Sequence, residues 1–401
     1  MHNTRALRDV LRDGLFIDGD WVESKDQDPN GTIRLTQLAD VGETVWRDRS
    51  DRWMNEEQAH RIRITKLLPG DVLVARMPDP LGRACLVPET IGQAATVVDV
   101  AILRPSPLSI DNRFLMYAIN SRPVRNQIEL LQAGATRQRV SRRNLGGVQV
   151  PLPPLDEQRA IADYLDQETA QIDALVAKQE EFIRLLRDRR GAVADLEFQG
   201  SDERRAATIR QVLVRHERSP KTGAGVVTAY RDGVVTLRSN RRGDGYTMSA
   251  AEAGYQGVLP GDIVFHALDG FAGAVGVSDS EGQSSPVYHV CRPRYDDDAE
   301  YLALFIRYLG TSGFLSTQAP STRQRSVDFR NWGTFARVPL RLPSVEHQKA
   351  FVAEFQEQTT RIDALIAKAE EHITLAKERR SALITAAVTG QIDVRTARKA
   401  G

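Results

Sequence analysis

Two cysteines, Cys85 and Cys291, are the only ones in the 401 residues of this chain, and they lie far apart. Neither has a partner at the CxxC spacing. A disulfide framework and a structural zinc site are therefore both unsupported, and a reducing compartment is expected.

Long apolar runs are missing as well. No stretch approaches the roughly 18 consecutive apolar residues of a membrane-spanning helix. The N-terminal sequence MHNTRALRDVLRDG is charged and lacks the apolar core of a signal peptide. We therefore expect a cytoplasmic protein without a membrane partner.

Motifs that carry out chemistry are also absent. The dipeptide Gly-Lys never occurs, which excludes a P-loop, and no Asn/Asp-Pro-Pro-Tyr/Phe loop of an amino-methyltransferase is present. Asp13 with Glu23 and Lys25 loosely imitates the carboxylate–lysine spacing of a magnesium-dependent nuclease, but such spacing is common by chance. We predict a non-catalytic chain with no metal site and keep the nuclease as the weakest alternative.

What the sequence does contain is a long internal repeat. Residues 151–190 recur as residues 341–380 after adding 190 to each number, without a gap. Within the repeat, IDALVAKQEEFIRLLRDRR and IDALIAKAEEHITLAKERR share 12 of 19 positions. A repeat of this length indicates that one structural unit is used twice.

Each copy predicts a long amphipathic helix that begins after a proline-rich segment. A heptad with Leu165 at position a gives apolar a and d positions over four to six heptads, with Val176 and Ile183 widening the apolar stripe at position e. The helix would be a rod on the order of 60 Å long. We predict that these side chains pair the two helices: Leu165, Ile172, Leu175, Phe182, Leu186, Phe355, Ile362, Leu365 and Leu383.

The residues before each helix predict two globular α+β units. Short strands are expected at 32–35, 71–75, 95–103 and 148–152, with a helix over 112–131. The units share Leu-Pro-Gly-Asp at 68–71 and 259–262, Thr-Arg-Gln-Arg at 136–139 and 322–325, and Arg-Asn at 143–144 and 330–331. Between these motifs they share almost nothing.

The connections then set the topology. The second globular unit follows the end of the first helix and precedes the start of the second, so the two helices should pair antiparallel. The predicted fold is α+β, with two globular α/β domains joined by an antiparallel coiled coil in a pseudo-two-fold arrangement. Its predicted segments are 1–150, 151–200, 201–340 and 341–401.

These motifs in this order resemble the specificity (S) subunit of type I restriction–modification systems. The resemblance rests on TRQR, PLPPLDEQ, IDALxxKxEE and a terminal ERR or DRR given twice, and on the closing ITAAVTGQIDV. One departure is that the short strand that usually leads into the first domain is not obvious.

The resemblance implies a non-catalytic, sequence-specific DNA-binding subunit that acts in phage defence. Each target recognition domain would read one half of a split site in double-stranded DNA, with the helices as spacer. The helices would dock methyltransferase (M) subunits and, through them, restriction (R) subunits. S-adenosylmethionine, ATP and Mg²⁺ would belong to those partners, and this chain would hold no cofactor.

Candidate DNA-binding residues follow from two local excesses of arginine. A motif shared by units that read different sequences suits phosphate contacts, whereas base reading belongs in the segments that differ. The shared candidates are Arg137, Gln138, Arg139, Arg142, Arg143, Asn144, Arg323, Gln324, Arg325, Arg330 and Asn331. The base-reading candidates are Arg76, Arg83, Arg238, Asn240, Arg241 and His266. Trp21, Trp46 and Phe271 are expected in the core.

A second function class stays open. A stand-alone DNA-binding or scaffold protein could use the coiled coil to dimerise, and it would not co-purify with a methyltransferase.

Overall fold

The computed structural model describes residues 2–78, 80–131, 139–200, 204–241, 254–319 and 327–397. The chain forms two compact units, Met1–Glu180 with Glu370–Gly401, and Glu181–Ala369. Two long helices, Leu155–Gln199 and Val345–Val388, each contribute to both units. The predicted α+β class and the two long helices are thus present. The four predicted segments follow the chain in order, whereas the compact units divide each helix.

The globular part of the first unit contains three sheets. The central strand Val72–Ala75 is fully buried and has partners on both sides, as its apolar sequence VLVA favours. The four-stranded sheet has the order Leu15–Asp18, Val100–Arg104, Val72–Ala75, Ala84–Leu86. A three-stranded sheet has the order Trp53–Met54, Ile33–Thr36, Ala94–Thr96, and a third sheet pairs Thr4–Ala6 with Gln149–Pro151. The helices are Leu7–Val10, Glu56–Ile62, Asn112–Asn120, Arg122–Leu130 and Arg142–Gly146.

Three predictions for this unit need correction. The single strand predicted at 95–103 is two strands in different sheets. The single helix predicted at 112–131 is interrupted at Ser121, because Pro123 occupies the first turn of a new helix, where its missing N–H costs nothing. The lead-in strand that is not obvious in the sequence exists as Thr4–Ala6.

The globular part of the second unit repeats this plan. Its four-stranded sheet has the order Leu213–Arg215, Tyr288–Pro293, Ile263–His266, Val275–Val277, which matches that of the first unit strand for strand. Its two-stranded sheets are Arg205–Thr208 with Pro339–Leu342, Val227–Ala229 with Val235–Leu237, and Gln256–Val258 with Gly282–Ser284. Its helices are Ile209–Val212, Ala299–Thr311, Phe314–Gln318 and Trp332–Phe335, and a last short helix, Val394–Ala397, belongs to the first unit.

The helix segments inside each unit run antiparallel. In the first unit Asp173 pairs with Arg380, and Glu180 lies 3.9 Å from Lys377. Residue numbers therefore rise along the first helix as they fall along the second. In the second unit Arg190 pairs with Asp363 and Glu197 pairs with His347 in the same sense. The predicted antiparallel coiled coil is therefore what each unit contains.

The buried stripe of these helices differs from the predicted one. Leu165, Ile172, Leu186 and Ile362 are buried, and Phe355 and Leu383 are half-buried. Leu175, Phe182 and Leu365, however, are 47%, 41% and 45% exposed. Ile183 and Ile366, one residue after Phe182 and Leu365, are buried in their place, and Val176, one residue after Leu175, is half-buried.

The paired surface thus follows positions a and e. Positions a and e are four and then three residues apart, and positions a and d are three and then four residues apart. Both patterns repeat every seven residues, so the heptad period alone does not show whether d or e meets the partner helix. Leu175, Phe182 and Leu365 remain on the outside of the helix pair.

Each unit has its own core. In the first, Ile161 and Leu165 of the first long helix and Ile384 of the second pack with Phe114 and Leu103 of the globular part. In the second, Phe198 at the end of the first long helix stacks on Phe305 with ring centroids 4.9 Å apart. Both cysteines are buried free thiols, and burial raises the pKa of Cys85 to about 12. Among the described residues, no helix is both long and apolar enough to cross a membrane.

Candidate nucleic-acid interface

Arg76 and Arg83, two of the predicted base readers, are buried, with 2% and 4% of their surface exposed. Arg76 donates to the carbonyls of Val98 and Val140. The guanidinium of Arg83 donates to backbone carbonyls on two segments: those of Leu38 at 2.7 Å and Val41 on one, and that of Pro80 at 2.8 Å on the other. Burial lowers the pKa of both guanidinium groups. These arginines hold the backbone of the first domain together and are not placed to read bases, which corrects the prediction.

The described polar residues of the shared basic segment, Arg139, Arg142, Arg143 and Asn144, reach the surface of the first unit. Arg139 is half-buried, and its Nη2 lies 3.3 Å from Oδ1 of Asp99. Arg142, Arg143 and Asn144 are exposed on the short helix Arg142–Gly146. Ser141 caps that helix by accepting from the Asn144 N–H at 3.1 Å. The cap fixes the direction in which this surface is presented.

Five predicted residues lie outside the described part of the chain: Arg137, Gln138, Arg323, Gln324 and Arg325. Their role stays a prediction from the sequence.

In the second unit three predicted base readers share one short turn. Arg238–Asn240 forms a single 3-10 turn, and Asn240 and Arg241 are exposed. Arg241 pairs with Asp232 at 2.6 Å, and its guanidinium lies 4.6 Å from the ring centroid of Tyr230. The turn therefore exposes side-chain hydrogen-bond donors, and the contacts of Arg241 with Asp232 and Tyr230 hold it in place.

His266 is less suited to a phosphate contact. Its ring is half-buried, and Nδ1 accepts from the backbone N–H groups of Leu268 and Asp269. Burial lowers the pKa of His266, so the ring is neutral near pH 7. As a neutral ring with Nδ1 occupied, it offers at most one donor at Nε2.

Arg330 and Asn331 have partners within the domain. Both are exposed, and Arg330 forms a two-pronged pair with Asp328, with Nη2 and Oδ2 at 2.6 Å. The Asn331 side chain accepts from the Thr334 N–H at 3.3 Å and so caps the helix Trp332–Phe335. Asn331 thereby acts as a helix cap, which the Arg-Asn pattern did not indicate.

The shared Leu-Pro-Gly-Asp motif is a structural turn. Gly70 and Gly261 have φ angles of +83° and +85°, which glycine adopts without strain. The buried Asp71 accepts from the Leu68 N–H at 2.8 Å and pairs with Arg104 at 2.6 Å. Asp262, the equivalent carboxylate, accepts from Leu259 and pairs with Arg292 at the same two distances.

A second repeated contact joins each globular domain to the helix that follows it. Gln158 is buried; its Oε1 accepts from the Asp111 N–H at 2.9 Å, and its Nε2 donates to the Pro153 carbonyl at 2.8 Å. Gln348, 190 residues later, accepts from the Asp298 N–H at 2.9 Å. Asp111 and Asp298 each cap a domain helix. The glutamines of PLPPLDEQ and RLPSVEHQ are these joints, a role that sequence reasoning missed.

Trp21 departs from its expected place in the core. It is 68% exposed and follows the strand Leu15–Asp18, and its indole N–H lies 3.4 Å from Oε1 of Glu23. Glu23 itself pairs with Lys25 at 2.6 Å. The two residues on which the nuclease alternative depends thus neutralise one another. Within the described residues, no cluster of three or more His, Cys, Asp or Glu is placed to hold a metal ion.

Comparison with known proteins bears on this arrangement. Residues 66–183 match the family model described as "Type I restriction modification DNA specificity domain". A stretch of 92 residues is 36% identical to the type I restriction enzyme EcoKI specificity subunit of Escherichia coli (strain K12). That stretch covers 23% of this chain and 20% of the relative.

Solved structures cover nearly the whole chain. One, from work on the complex assembly and conformational transition of the type I R-M system, has a TM-score of 0.65 at 17% identity and covers 96% of this chain and 97% of its own. The HsdS subunit from Thermoanaerobacter tengcongensis covers 97% of each chain with a TM-score of 0.48 at 18% identity.

The fold is that of two globular domains built on one plan, and residues 66–183 match a type I DNA specificity domain. The resemblance inferred from the repeated motifs is confirmed: this chain is similar to the specificity subunits of type I restriction–modification systems.

Proposed function

We propose that this chain is the sequence-specific DNA-binding subunit of a type I restriction–modification complex. Each globular domain would bind one half of a bipartite site in double-stranded DNA. The observation that carries the proposal is the repetition of one domain plan with different exposed polar residues, beside a matched specificity domain. A reader of two unlike half-sites needs this combination, because the frame can be shared while the base contacts cannot.

The coiled coil would set the distance between the half-sites. Two domains held by helices of fixed length can engage the same face of DNA only at one separation. Inserting one heptad into each long helix is therefore expected to change the spacer of the target and leave both half-sites unaltered.

The outer faces of the helices would dock the methyltransferase subunits. Large apolar side chains are exposed there although both helices are already paired, and exposed apolar surface is typical of interaction sites. They are Leu175 and Leu375 in the first unit, and Phe182, Leu185, Leu196 and Leu365 in the second. Leu175→Asp should weaken co-purification of the methyltransferase, whereas Ala174→Asp on the neighbouring exposed position should not.

The chain would perform no chemistry itself. S-adenosylmethionine, ATP and Mg²⁺ would be bound by methyltransferase and restriction subunits, the latter joining through the complex in the cytoplasm. Glu23→Ala is then expected to leave every activity of the complex intact. Magnesium-dependent nicking by the purified chain that this variant abolishes would revive the nuclease alternative.

Methylome sequencing of a host that carries this chain with its methyltransferase tests the proposal directly. We expect one bipartite modified site. Replacing residues 201–340 with those of another specificity subunit should change one half-site only. A chain that binds DNA without retaining a methyltransferase would favour the stand-alone alternative.

A further inference from the structure

The exposed Trp21 lies at the edge of the first domain that carries its shared basic segment. Asp20, its neighbour, forms a bridge with Val97 and donates its N–H to the Thr96 carbonyl at 2.8 Å. Two residues further, Asp99 pairs with Arg139 at 3.3 Å. Trp21 and the segment from Arg139 onward are thus joined through one turn.

Arg76 braces the same edge from inside. Its guanidinium pairs with Asp18 at 3.4 Å and donates to the carbonyls of Val98 and Val140. The buried arginine therefore fixes three segments relative to one another: the strand before Trp21, the turn at Val98, and the residue after Arg139. The indole is held on a rigid frame and not on a free loop.

The charges at this edge suit a polyanion. Each nearby carboxylate has a partner: Asp18 pairs with Arg76, Glu23 with Lys25 and Asp99 with Arg139, and the Asp20 carboxylate accepts from the Thr65 N–H at 2.8 Å. Arg142 and Arg143 are exposed on the short helix that follows Arg139. Of the four carboxylates, only that of Asp20 has no cationic partner among the described residues, so little uncompensated negative charge opposes a DNA backbone at this edge.

Trp21 also belongs to what differs between the units. The strand pairings of the two four-stranded sheets equate Phe16 with Arg215. Counted on from this pair without a gap, the residue that corresponds to Trp21 in the second unit is Pro220. A single exposed tryptophan is not rare on protein surfaces. Trp21, however, follows a strand that a buried arginine holds beside the basic segment, and it is present in one domain alone. These are the features of a residue that contacts one half-site.

We propose that Trp21 is a DNA-contacting residue that packs its indole against a nucleotide of the half-site bound by the first domain. This inference rests on the proposed function. The bases of a duplex already stack on one another, so the indole would pack against a deoxyribose or a thymine methyl group at the edge of a groove. Trp21 would add to the footprint of Arg139, Arg142 and Arg143 a contact that is insensitive to salt.

The test uses the intact complex with its methyltransferase and three DNA duplexes: the modified site found by methylome sequencing, and that site with either half scrambled. Trp21→Ala is expected to weaken binding to the intact site by up to about fivefold, which is the lower end of what stacking on an unpaired base contributes. The same loss should persist when the second half-site is scrambled and disappear when the first is scrambled. Trp21→Phe should retain most of the affinity.

Leu108→Ala is the matched control, because Leu108 is an exposed apolar residue of the same unit that lies before the Asp111 cap. It should bind all three duplexes as the unaltered complex does. Unchanged affinity of Trp21→Ala for the intact site would overturn the assignment, as would an equal loss on all three duplexes. If the unaltered complex shows no preference for any bipartite site, the proposed function itself fails.

Discussion

Arg380 donates from Nε to Oδ1 of Asp173 at 2.9 Å, and the same pair exists a second time in the chain. Subtracting 190 from Arg380 gives Arg190, and adding 190 to Asp173 gives Asp363. Arg190 donates to Oδ1 of Asp363, also at 2.9 Å. The repeated motif thus contains both halves of a bond that it completes with its other copy.

The two copies of this bond should differ in strength. Arg380 is mostly buried and also donates to the Thr44 hydroxyl, whereas the Arg190 side chain is more exposed. Arg380→Ala is expected to cost about 1–2 kcal/mol of stability, and Arg190→Ala below about 1 kcal/mol, as exposed pairs usually do. Urea unfolding midpoints of the two variants measure the difference, and equal midpoints would contradict it.

Charge reversal separates pairing from packing. Asp173→Arg alone should destabilise the first unit because it places two arginines side by side, and adding Arg380→Asp should restore part of the loss. A double variant no more stable than the single one would mean that the ion pair contributes nothing there.

The glutamine joint gives a third expectation. Gln158→Leu keeps the size of a buried side chain but removes the partners of the Asp111 N–H and the Pro153 carbonyl. Leaving buried polar groups unpaired costs about 1–3 kcal/mol each. Thermal unfolding should show a clear loss, whereas Gln171→Leu, at an exposed position on the long helix of the same unit, serves as the control and should cost less.

For DNA binding, Arg142→Ala should weaken affinity and reduce the salt slope by about one without changing the preferred sequence. Arg330→Ala should do less, because Asp328 already compensates its charge. The same expectation of weaker binding with unchanged sequence preference holds for Arg137→Ala and Arg323→Ala, which lie outside the described residues. Binding isotherms at several salt concentrations and a methylome of each variant check both points. A changed base preference would show that these arginines read bases and do not only position the phosphate backbone.

Acid should destabilise the second unit. Burial lowers the pKa of His216, His266 and His289 below the ordinary value of about 6.5. Below that pH the unfolded chain takes up protons that the folded unit does not, so the stability present above it is lost as pH falls.

Unfolding midpoints at pH 7.5, 6.5 and 5.5 should therefore decrease in that order. His289→Gln should reduce the pH dependence, because a side-chain amide N–H can replace the bond from Nε2 to the Phe329 carbonyl. His60→Gln, at an exposed position in the first unit, should leave the dependence unchanged.

The sequence predicted the architecture because the architecture is repeated. The two copies of the long helix are separated by one constant offset, and the second globular unit connects the end of the first helix to the start of the second. These two facts required antiparallel helices without any knowledge of their contacts. The period put Ile183 at the margin of the apolar stripe, but it could not show that Ile183 is buried while Leu175 and Phe182 stay exposed. That choice depends on how the globular domains seat each helix, which the heptad does not encode.

The candidate site was less predictable, since arginine serves two purposes in this chain. Arg76 and Arg83 satisfy backbone carbonyls inside a domain, and nothing in their flanking sequence separates them from the exposed Arg142. Trp21 was expected in the core because aromatic residues are generally buried. The distinction rests on strand registers and on the partners of buried carbonyls, which only the folded chain reveals.

The doubled Asp–Arg bond has a consequence for shortened forms of this gene product. Since each copy of the motif carries one aspartate and one arginine for its counterpart, a fragment of residues 1–200 contains both partners of the bond. Two such fragments should pair antiparallel through their long helices, with Asp173 of each meeting Arg190 of the other. The resulting homodimer would carry the first domain twice, and the sequence it recognises would become a palindrome.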